Sequence, residues 1–279
     1  MNISTYIKKA KEDKSAIGHF NISNIEMFNA VVSAVREMQV PVFIGVSEGE
    51  RNYIGLNQVV SLVQSVKNEG LPIFLNADHT YSFEAVKSAV DAGFDTVIFD
   101  GAGLPIEENI EITKKCVDYA HDREVLVEGE LGYIGKSSKM LDEVPDGIEM
   151  TSVGDALYYV KETGVDFLAP AVGNIHGMLK GANNPGLDIE RIKSIKEAVG
   201  IPLVLHGGSG TSDEDFRSAI DAGIDIIHVS TEMRVAYRKA LEETLLENPD
   251  DLAPYRLGAQ SLLAVQDVVM RRMKLFNNI

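Results

Sequence analysis

Short apolar runs alternate with longer stretches of helical spacing along the whole chain. Most of the runs are rich in Val, Ile, Leu, Phe and Ala, a composition typical of strands buried on both faces of a parallel sheet. The intervening segments repeat apolar residues at helical spacing, as Phe83, Val86 and Val90 do. Eight runs can be distinguished, at residues 17–22, 41–47, 72–79, 96–101, 124–132, 167–174, 202–210 and 226–231.

Turn-forming residues separate these runs at regular positions. Pro41, Pro72 and Pro202 each open a strand, where the missing N–H does least harm. Gly93 and Gly223 lie in repeated Asp-Ala-Gly phrases before a strand, and glycine is the usual residue just past a helix. Strand–helix units joined in this way predict parallel βαβ topology.

Eight consecutive units favour a closed (β/α)8 TIM barrel over an open doubly wound sheet. This fold takes roughly 250 residues, and the chain has 279. No GxGxxG motif follows the first strand, so a dinucleotide-binding fold has little support. Because no linker rich in Pro, Ser or charge interrupts the pattern, we expect one α/β domain over residues 1–279.

Composition and charge narrow the classes of partner. The net charge of −16 argues against nucleic acid, whose binding depends on clustered Lys and Arg. No run of 18 or more apolar residues occurs, so we expect no membrane span. The N-terminal residues lack the apolar core of a secretory signal, and the single Cys116 cannot form an internal disulfide. We therefore expect a cytoplasmic protein in which Cys116 is a buried, unreactive thiol.

Polar side chains concentrate at the carboxyl ends of the predicted strands, where barrel enzymes have their active sites. Three of the six histidines, His79, His176 and His206, fall at or near the ends of the third, sixth and seventh strands. Three imidazoles with carboxylates beside them suit a catalytic zinc that keeps an open position, whereas each alone could be a hydrogen-bonded structural histidine. Asp100 and Glu130 could supply a second metal position, orient the ligands, or be solvated carboxylates.

A glycine-rich turn follows the seventh strand at Gly207-Gly208-Ser209-Gly210 and leads into a helix that begins near Ser212. Small residues let the backbone approach a ligand and a helix N-terminus favours an anion, although a plain tight turn is the alternative. No predicted strand contains a lysine that could form a Schiff base. Carbon–carbon bond chemistry at this site would therefore need a metal as its electron sink.

Six short motifs occur in a specific order along almost the whole chain. They are Gly18-His19-Phe20-Asn21, Val46-Ser47-Glu48-Gly49, Ala77-Asp78-His79, Glu128-Gly129-Glu130-Leu131-Gly132, Gly173-Asn174-Ile175-His176-Gly177 and Leu205-His206-Gly207-Gly208-Ser209-Gly210. In order and spacing they resemble the class II fructose-bisphosphate aldolases, and in particular the shorter subgroup that includes tagatose-bisphosphate aldolases.

The resemblance implies a zinc-dependent lyase of carbohydrate metabolism and glycolysis. It would reversibly cleave fructose 1,6-bisphosphate to dihydroxyacetone phosphate and glyceraldehyde 3-phosphate. The metal positions implied are His79, His176 and His206 for catalytic Zn²⁺, with Asp100 and Glu130 at a second divalent or monovalent cation. Asp78 would exchange a proton with the C4 oxygen. The substrate-binding set implied is Ser47, Gly177, Lys180, Gly207, Gly208, Ser209, His228, Ser230 and Thr231.

Three positions depart from the family's pattern. Where the family has Gly-Gly followed by acidic residues after Gly132, this chain has Gly135-Lys136-Ser137-Ser138-Lys139, and Asp142 or Glu143 is our hypothesis for the missing acid. His228 replaces an asparagine, either as a fourth functional histidine or as a packed replacement, and Ala102 replaces a serine. His19 and His121 are interpreted as structural or solvated.

Alternative functions stay open at this point. Tagatose 1,6-bisphosphate is the C4 epimer of fructose 1,6-bisphosphate, and no single residue separates the two substrates. A metal-binding barrel with lost or altered activity and a sugar-phosphate isomerase are the other possibilities. The resemblance also implies a homo-oligomer, a dimer or tetramer.

Overall fold

Eight parallel strands close into a barrel, as the sequence predicts. The computed structural model describes residues 2–135 and 139–279. The barrel strands are β1 (Ile17–Asn21), β2 (Val42–Val46), β3 (Ile73–Thr80), β4 (Thr96–Phe99), β5 (Leu126–Leu131), β7 (Phe167–Pro170), β9 (Leu203–Leu205) and β10 (Ile224–Val229). A separate two-stranded parallel sheet is formed by β6 (Met140–Leu141) and β8 (Met178–Leu179). Around the barrel the order is β1-β10-β9-β7-β5-β4-β3-β2, so β1 and β10 close the ring.

Twelve helices are found among the described residues; most cover the outside of the barrel, and α1 lies across its amino end. They are α1 (Ile3–Glu12), α2 (Ile25–Met38), α3 (Glu48–Ile54), α4 (Leu56–Lys67), α5 (Phe83–Ala92), α6 (Ile106–His121), α7 (Val153–Thr163), α8 (Ile189–Val199), α9 (Asp213–Ala222), α10 (Thr231–Glu247), α11 (Pro254–Leu257) and α12 (Ala259–Asn277). Ser212 caps α9 by accepting the N–H of Asp215. Gly93 and Gly223 end α5 and α9 in the left-handed conformation, which confirms the turn chemistry read from the sequence.

Two strands, β7 and β9, are shorter than the sequence predicts by four or more residues. The run at 167–174 is paired only as far as Pro170, and Gly173 then turns the chain with a φ of 99°. The run at 202–210 ends at Leu205, because Gly207 takes a φ of 62° that a strand cannot accommodate. After these strands, both segments leave the β-sheet and form loops at the barrel mouth. The predicted metal-binding and phosphate-binding residues lie in these loops.

The two ends of the barrel differ in polarity. At the amino end, α1 buries Ile3, Ile7 and Ala10 against interior side chains that include Phe74 and Val204. This apolar plug leaves the carboxyl ends of the strands as the polar opening. Among the described residues, no helix combines the length and apolar character needed to cross a membrane.

Candidate active site

A cavity of about 260 Å³ opens at the carboxyl ends of the strands. It gathers residues from most of the predicted motifs into one mouth, although those motifs are far apart in the chain. Its walls are formed by Asn21, Ser47, Glu48, Gly49, Asp78, His79, Tyr81, Asp100, Gly135, His176, Gly177, His206, Gly207, Ser209, His228, Ser230, Thr231 and Arg234.

A β-bulge brings two consecutive residues of β3 to this mouth. Adjacent residues of a regular strand point to opposite faces, so Asp78 and His79 should diverge. The register of β3 against β4 shifts between Ala77 and Thr80, and His79 takes a φ of 42° in the left-handed region. An extra residue of this kind re-aims a side chain. The bulge therefore lets both Asp78 and His79 line the cavity.

His79, His176 and His206 present ligand atoms that all lie within 4.8 Å of one another. In each ring, one nitrogen contacts an oxygen atom of a neighbouring residue. The Nδ1 of His79 contacts Asp100 Oδ2 at 2.9 Å, the Nδ1 of His176 donates to the Gly135 carbonyl at 2.7 Å, and the Nε2 of His206 contacts Glu128 Oε1 at 2.7 Å. Such partners fix the ring orientation of metal-binding histidines. The opposite nitrogen of each ring is then left for a ligand.

Two buried atoms beside these rings support a metal site. The Nδ1 of His206 and the Oε2 of Glu130 are buried without a hydrogen-bond partner in the described part of the chain. They lie 3.9 Å apart. Unpaired buried polar groups are costly, so a cation between them would supply the missing interaction. Three imidazoles next to a carboxylate are also a donor set that zinc accepts. The residues present therefore fit the metal that the sequence predicts.

The lowered pKa values of two of the three rings agree with metal binding. Burial lowers the pKa of His176 to about 3. Burial also lowers the pKa of His206, although Glu130 opposes that shift. For His79 burial acts in the same direction, but Asp78 and Asp100 outweigh it and raise the pKa well above its usual value. A cation at the site would compete with that proton for the same ring.

A second cluster brings His79, Asp100 and Glu130 together. Burial and the neighbouring Asp100 raise the pKa of Glu130. Burial would raise the pKa of Asp100 as well, but His79 outweighs it and lowers that pKa. The two carboxylates predicted for a second cation are therefore adjacent to the first ligand set, and both contact His79.

Asp78 is held on one oxygen and open on the other. Its Oδ2 accepts the Asn21 amide at 2.8 Å, while its buried Oδ1 has no hydrogen-bond partner among the described residues. Burial would raise the pKa of this carboxyl, but His79 and His228 outweigh it and hold the pKa well below the usual value. The structure therefore presents Asp78 as a carboxylate in which Oδ1 makes no hydrogen bond among the described residues and lies 3.5 Å from His228 Nδ1.

The phosphate loop predicted after the seventh strand lines the same cavity as Asp78. A Cβ on Gly207 would come within 2.2 Å of the Ile175 carbonyl oxygen, so this tight loop requires glycine. The Ser209 hydroxyl accepts the N–H groups of Ser230 and Glu232 at the start of α10. The buried Ser230 hydroxyl faces the cavity and has no partner among the residues described. The start of a helix favours an anion, and the Ser230 hydroxyl could donate to one.

Comparison with known proteins agrees with the family resemblance of the sequence motifs. A family model described as "Fructose-bisphosphate aldolase class-II" matches residues 1–279. The fructose-bisphosphate aldolase of Geobacillus stearothermophilus is 38% identical over 283 residues, which cover 100% of this chain and 97% of that protein. The chain belongs to the class II fructose-bisphosphate aldolase family. It is thus an aldolase, a lyase, in a family that is generally zinc-dependent.

Other relatives agree over nearly the full length. The fructose-bisphosphate aldolase of Staphylococcus epidermidis is 39% identical over 271 residues, 96% of this chain and 93% of that protein. Among solved structures, the YdjI aldolase from Escherichia coli K12 has a TM-score of 0.84 and 32% identity, with 99% of this chain and 96% of that chain covered. These matches support the barrel as an aldolase fold.

His228, which departs from the aldolase pattern, lies in a stack of imidazoles. Its ring is parallel to that of His19 at 3.5 Å, with an interplanar angle of 1°, and lies 4.1 Å from the ring of His206. Its Nδ1 is 3.5 Å from Asp78 Oδ1. Although His19, Asp78 and His228 form a third candidate metal cluster, lone pairs in parallel ring planes do not converge on one ion. The stack is therefore a packing arrangement that brings His228 against Asp78.

Lys180 does not take the position that the sequence predicts. Its Nζ pairs with Asp142 Oδ1 at 2.8 Å on the exposed surface, because β6 and β8 hold these two residues side by side. Asp142, our hypothesis for the missing family acid, is thereby engaged away from the cavity wall. Lys136, Ser137 and Ser138, where the chain departs from the family, lie outside the described residues.

Some of the remaining predicted residues line the cavity, and others hold its loops in place. Ser47, Gly177 and Thr231 line the cavity. Gly208 supports the loop from behind, since its N–H donates to the His228 carbonyl and a Cβ there would meet that oxygen at 2.7 Å. Outside the mouth, His121 is an exposed partner of Asp166.

Sequence reasoning missed Arg234, which lines the same cavity from the first turns of α10. The Nη2 of its guanidinium donates to Oε1 of the buried Glu50 at 2.6 Å. A position four residues after Ser230 on a helix would have pointed to it, because residues one turn apart share a helix face. For Glu50 the sequence offers only the capping-box spacing to Ser47, which points to a helix start and not to the cavity, since its other partners lie far away in the chain.

Proposed function

We propose that the protein is a zinc-dependent aldolase that reversibly cleaves fructose 1,6-bisphosphate to dihydroxyacetone phosphate and glyceraldehyde 3-phosphate. The observation that carries the proposal is the convergence of three histidine ligand atoms within 4.8 Å at the mouth that also holds Asp78 and the glycine-rich loop. The names of the relatives from Geobacillus stearothermophilus and Staphylococcus epidermidis support this choice of substrate.

In this proposal His79, His176 and His206 hold the catalytic zinc, and Asp100 with Glu130 hold or tune a second cation. Zinc bound there would polarise the ketose carbonyl and stabilise negative charge on it during cleavage. Asp78 accepts the proton of the C4 hydroxyl on its open oxygen, while Asn21 keeps the carboxylate oriented. The substrate phosphate is bound by backbone and hydroxyl groups around Gly177, Gly207, Ser209, Ser230 and Thr231.

Tagatose 1,6-bisphosphate is the second candidate substrate. The two ketoses differ only in configuration at C4, the atom whose oxygen Asp78 serves. His228 lies 3.5 Å from Asp78, where the family has asparagine, so the surroundings of that oxygen differ from the usual ones. The Escherichia coli neighbour, moreover, is named only as an aldolase.

The deciding experiment offers both ketose bisphosphates to the purified protein and follows triose phosphate release. We expect cleavage of fructose 1,6-bisphosphate that a chelator abolishes and added zinc restores. Preference for the tagatose epimer would change the assigned substrate but leave the proposed zinc-dependent cleavage intact. A zinc-loaded sample that cleaves neither epimer would refute the proposed substrates.

A further inference from the structure

Glu50 is a buried carboxylate behind the cavity wall, and its side chain is 7% exposed. Five donor contacts converge on it. Its Oε1 accepts the Ser23 hydroxyl at 2.8 Å and the Arg234 guanidinium at 2.6 Å. Its Oε2 accepts the Asn21 amide at 3.1 Å, the Ser47 N–H at 2.8 Å and the Ser47 hydroxyl at 2.9 Å. The carboxylate is therefore saturated, and it cannot itself act on a substrate.

The partners of Glu50 are cavity residues. Asn21, Ser47 and Arg234 all line the mouth. The amide nitrogen of Asn21 donates to Glu50 and also to Asp78 Oδ2 at 2.8 Å, so one nitrogen bridges two buried carboxylates. Asn21 can satisfy both only with its amide plane fixed, because its two N–H bonds point in set directions. The rotamer of Asp78 is thus tied to Glu50 through a single amide.

The backbone of Asp78 is held separately. Arg51, the next residue of α3, is buried and donates to the Asp78 carbonyl at 3.0 Å and to the Thr80 hydroxyl at 3.0 Å. Loss of Glu50 should consequently leave the β3 bulge in position and release only the side chain of Asp78. This separation makes the contribution of Glu50 measurable by itself.

We propose that Glu50 is a positioning residue for the aldolase reaction. It fixes the Asp78 carboxylate through Asn21 and, with its other oxygen, anchors the Arg234 side chain at the cavity wall. This inference rests on the proposed function in taking Asp78 as the group that exchanges the proton. The simpler reading is that Glu50 only caps α3, since it follows Ser47 by three residues and accepts its N–H.

Two substitutions separate the link from Glu50 to Arg234 from its link to Asp78. Glutamine serves as well as glutamate in a capping box. In Glu50→Gln we expect the amide oxygen to stay on the side of Ser47 and Asn21, which only donate to it, so that the NH2 group faces the Arg234 guanidinium. Glu50→Gln should then release Arg234 and keep Asp78 in place. Glu50→Ala should release both.

The first readout is structural and does not need activity. Crystal structures of zinc-loaded wild type, Glu50→Gln and Glu50→Ala should show the Arg234 guanidinium displaced in both variants. The Asp78 carboxylate should be displaced in Glu50→Ala alone. An Asp78 carboxylate that keeps its rotamer and its Asn21 contact in Glu50→Ala would overturn the proposal.

The second readout is a double-mutant cycle on kcat with Asn21. We expect Glu50→Ala to lower kcat about tenfold or more with unchanged zinc content, since small misplacements of reacting groups are this costly. Glu50→Gln should stay within about twofold of wild type in kcat. Adding Glu50→Ala to Asn21→Ala should lower kcat by no more than about twofold, the effect expected from release of Arg234, because Glu50 acts on Asp78 through Asn21. Additive losses would show that Glu50 acts by another route, such as the helix cap.

The matched control is Glu69→Ala. Glu69 pairs with Arg36 at 2.6 Å, the same distance as in the Glu50–Arg234 pair, but on the exposed surface. Its removal should leave kcat unchanged. A wild-type protein that cleaves neither ketose bisphosphate would refute the proposed function, and the crystal structures alone would then decide whether Glu50 positions Asp78.

Discussion

Asp78 and His79 are neighbours in the chain, yet their side chains have different partners. His79 contacts Asp100 and Glu130 on one ring nitrogen and presents the other with His176 and His206. Asp78 accepts from Asn21 and faces His228. The bulge in β3 thus separates a proposed metal ligand from a proposed proton acceptor within one dipeptide.

Substitution at the two kinds of residue should separate zinc binding from turnover. His176→Ala removes one of three proposed ligands, so we expect it to lose both zinc after dialysis and aldolase activity. Asp78→Asn keeps the ligand set, so it should retain zinc while kcat falls about 10²–10⁴-fold, the usual contribution of a positioned acid or base. Metal analysis beside steady-state kinetics checks both. Full zinc content in His176→Ala would remove it from the ligand set.

Cys116 should be inert in the native protein. Its side chain is fully buried within α6, and burial raises the pKa of the thiol to about 12. The thiolate that reacts with disulfide reagents is therefore almost absent at pH 8. We expect negligible labelling of the folded protein by a chromogenic disulfide, and one thiol per chain after denaturation. Rapid labelling without denaturant would show that α6 opens locally.

Residues at the carboxyl ends of strands were the ones that sequence reasoning could place. The glycine-rich loop and the proposed metal-binding histidines lie there, and the topology alone brings strand ends together. Lys180 was assigned to phosphate from the family resemblance, whereas its Nζ pairs with Asp142, the residue that follows β6. Glu50 and Arg234 meet across 184 residues of sequence, and no periodic pattern predicts such a pair.

At the level of elements, hydrophobic pattern located all eight barrel strands but not the ribbon of β6 and β8. Each ribbon strand has two residues, Met140–Leu141 and Met178–Leu179, too few to give a recognisable period. Errors at strand ends were concentrated at the mouth. There the chain follows loop geometry, as the φ of 99° at Gly173 indicates, rather than side-chain alternation.

The loop after β9 should depend on glycine for its contacts as well as for its conformation. Gly207 has a φ of 62°, and an added Cβ would lie 2.2 Å from the Ile175 carbonyl oxygen. Gly181 has a φ of 70°, but an added Cβ meets nothing within 4 Å. Gly181→Ala should therefore cost only the left-handed conformation, about 1–2 kcal/mol. Gly207→Ala should cost more and should also shift the backbone that we propose binds phosphate.

Chemical denaturation and binding of inorganic phosphate distinguish the two glycine variants. We expect Gly181→Ala to bind phosphate like wild type, whereas Gly207→Ala should bind it at least tenfold more weakly. Equal phosphate affinity in both variants would mean that the loop after β9 is not the anion site.

At the scale of the whole molecule, a chain with net charge −16 carries a cavity suited to an anion. The charges that matter are local, namely Arg234, the start of α10 and the proposed metal. A single domain over residues 1–279 and a homo-oligomer stay predictions. The latter can be tested by sedimentation of the purified protein.

The proposed metal should stabilise the entire barrel, because its ligands come from separate parts of the ring. His79 lies on β3, His176 follows β7 and His206 follows β9. A ligand that binds only the folded state at about 100 times its Kd adds about 2.7 kcal/mol. For a domain of this size we therefore expect zinc to raise Tm by about 5–10 °C. Calorimetry of wild type, His176→Ala and Asp78→Asn, each with and without zinc, measures this shift in Tm. The shift should vanish in His176→Ala, whereas Asp78→Asn should keep it, and a shift of equal size in all three proteins would mean that zinc acts elsewhere.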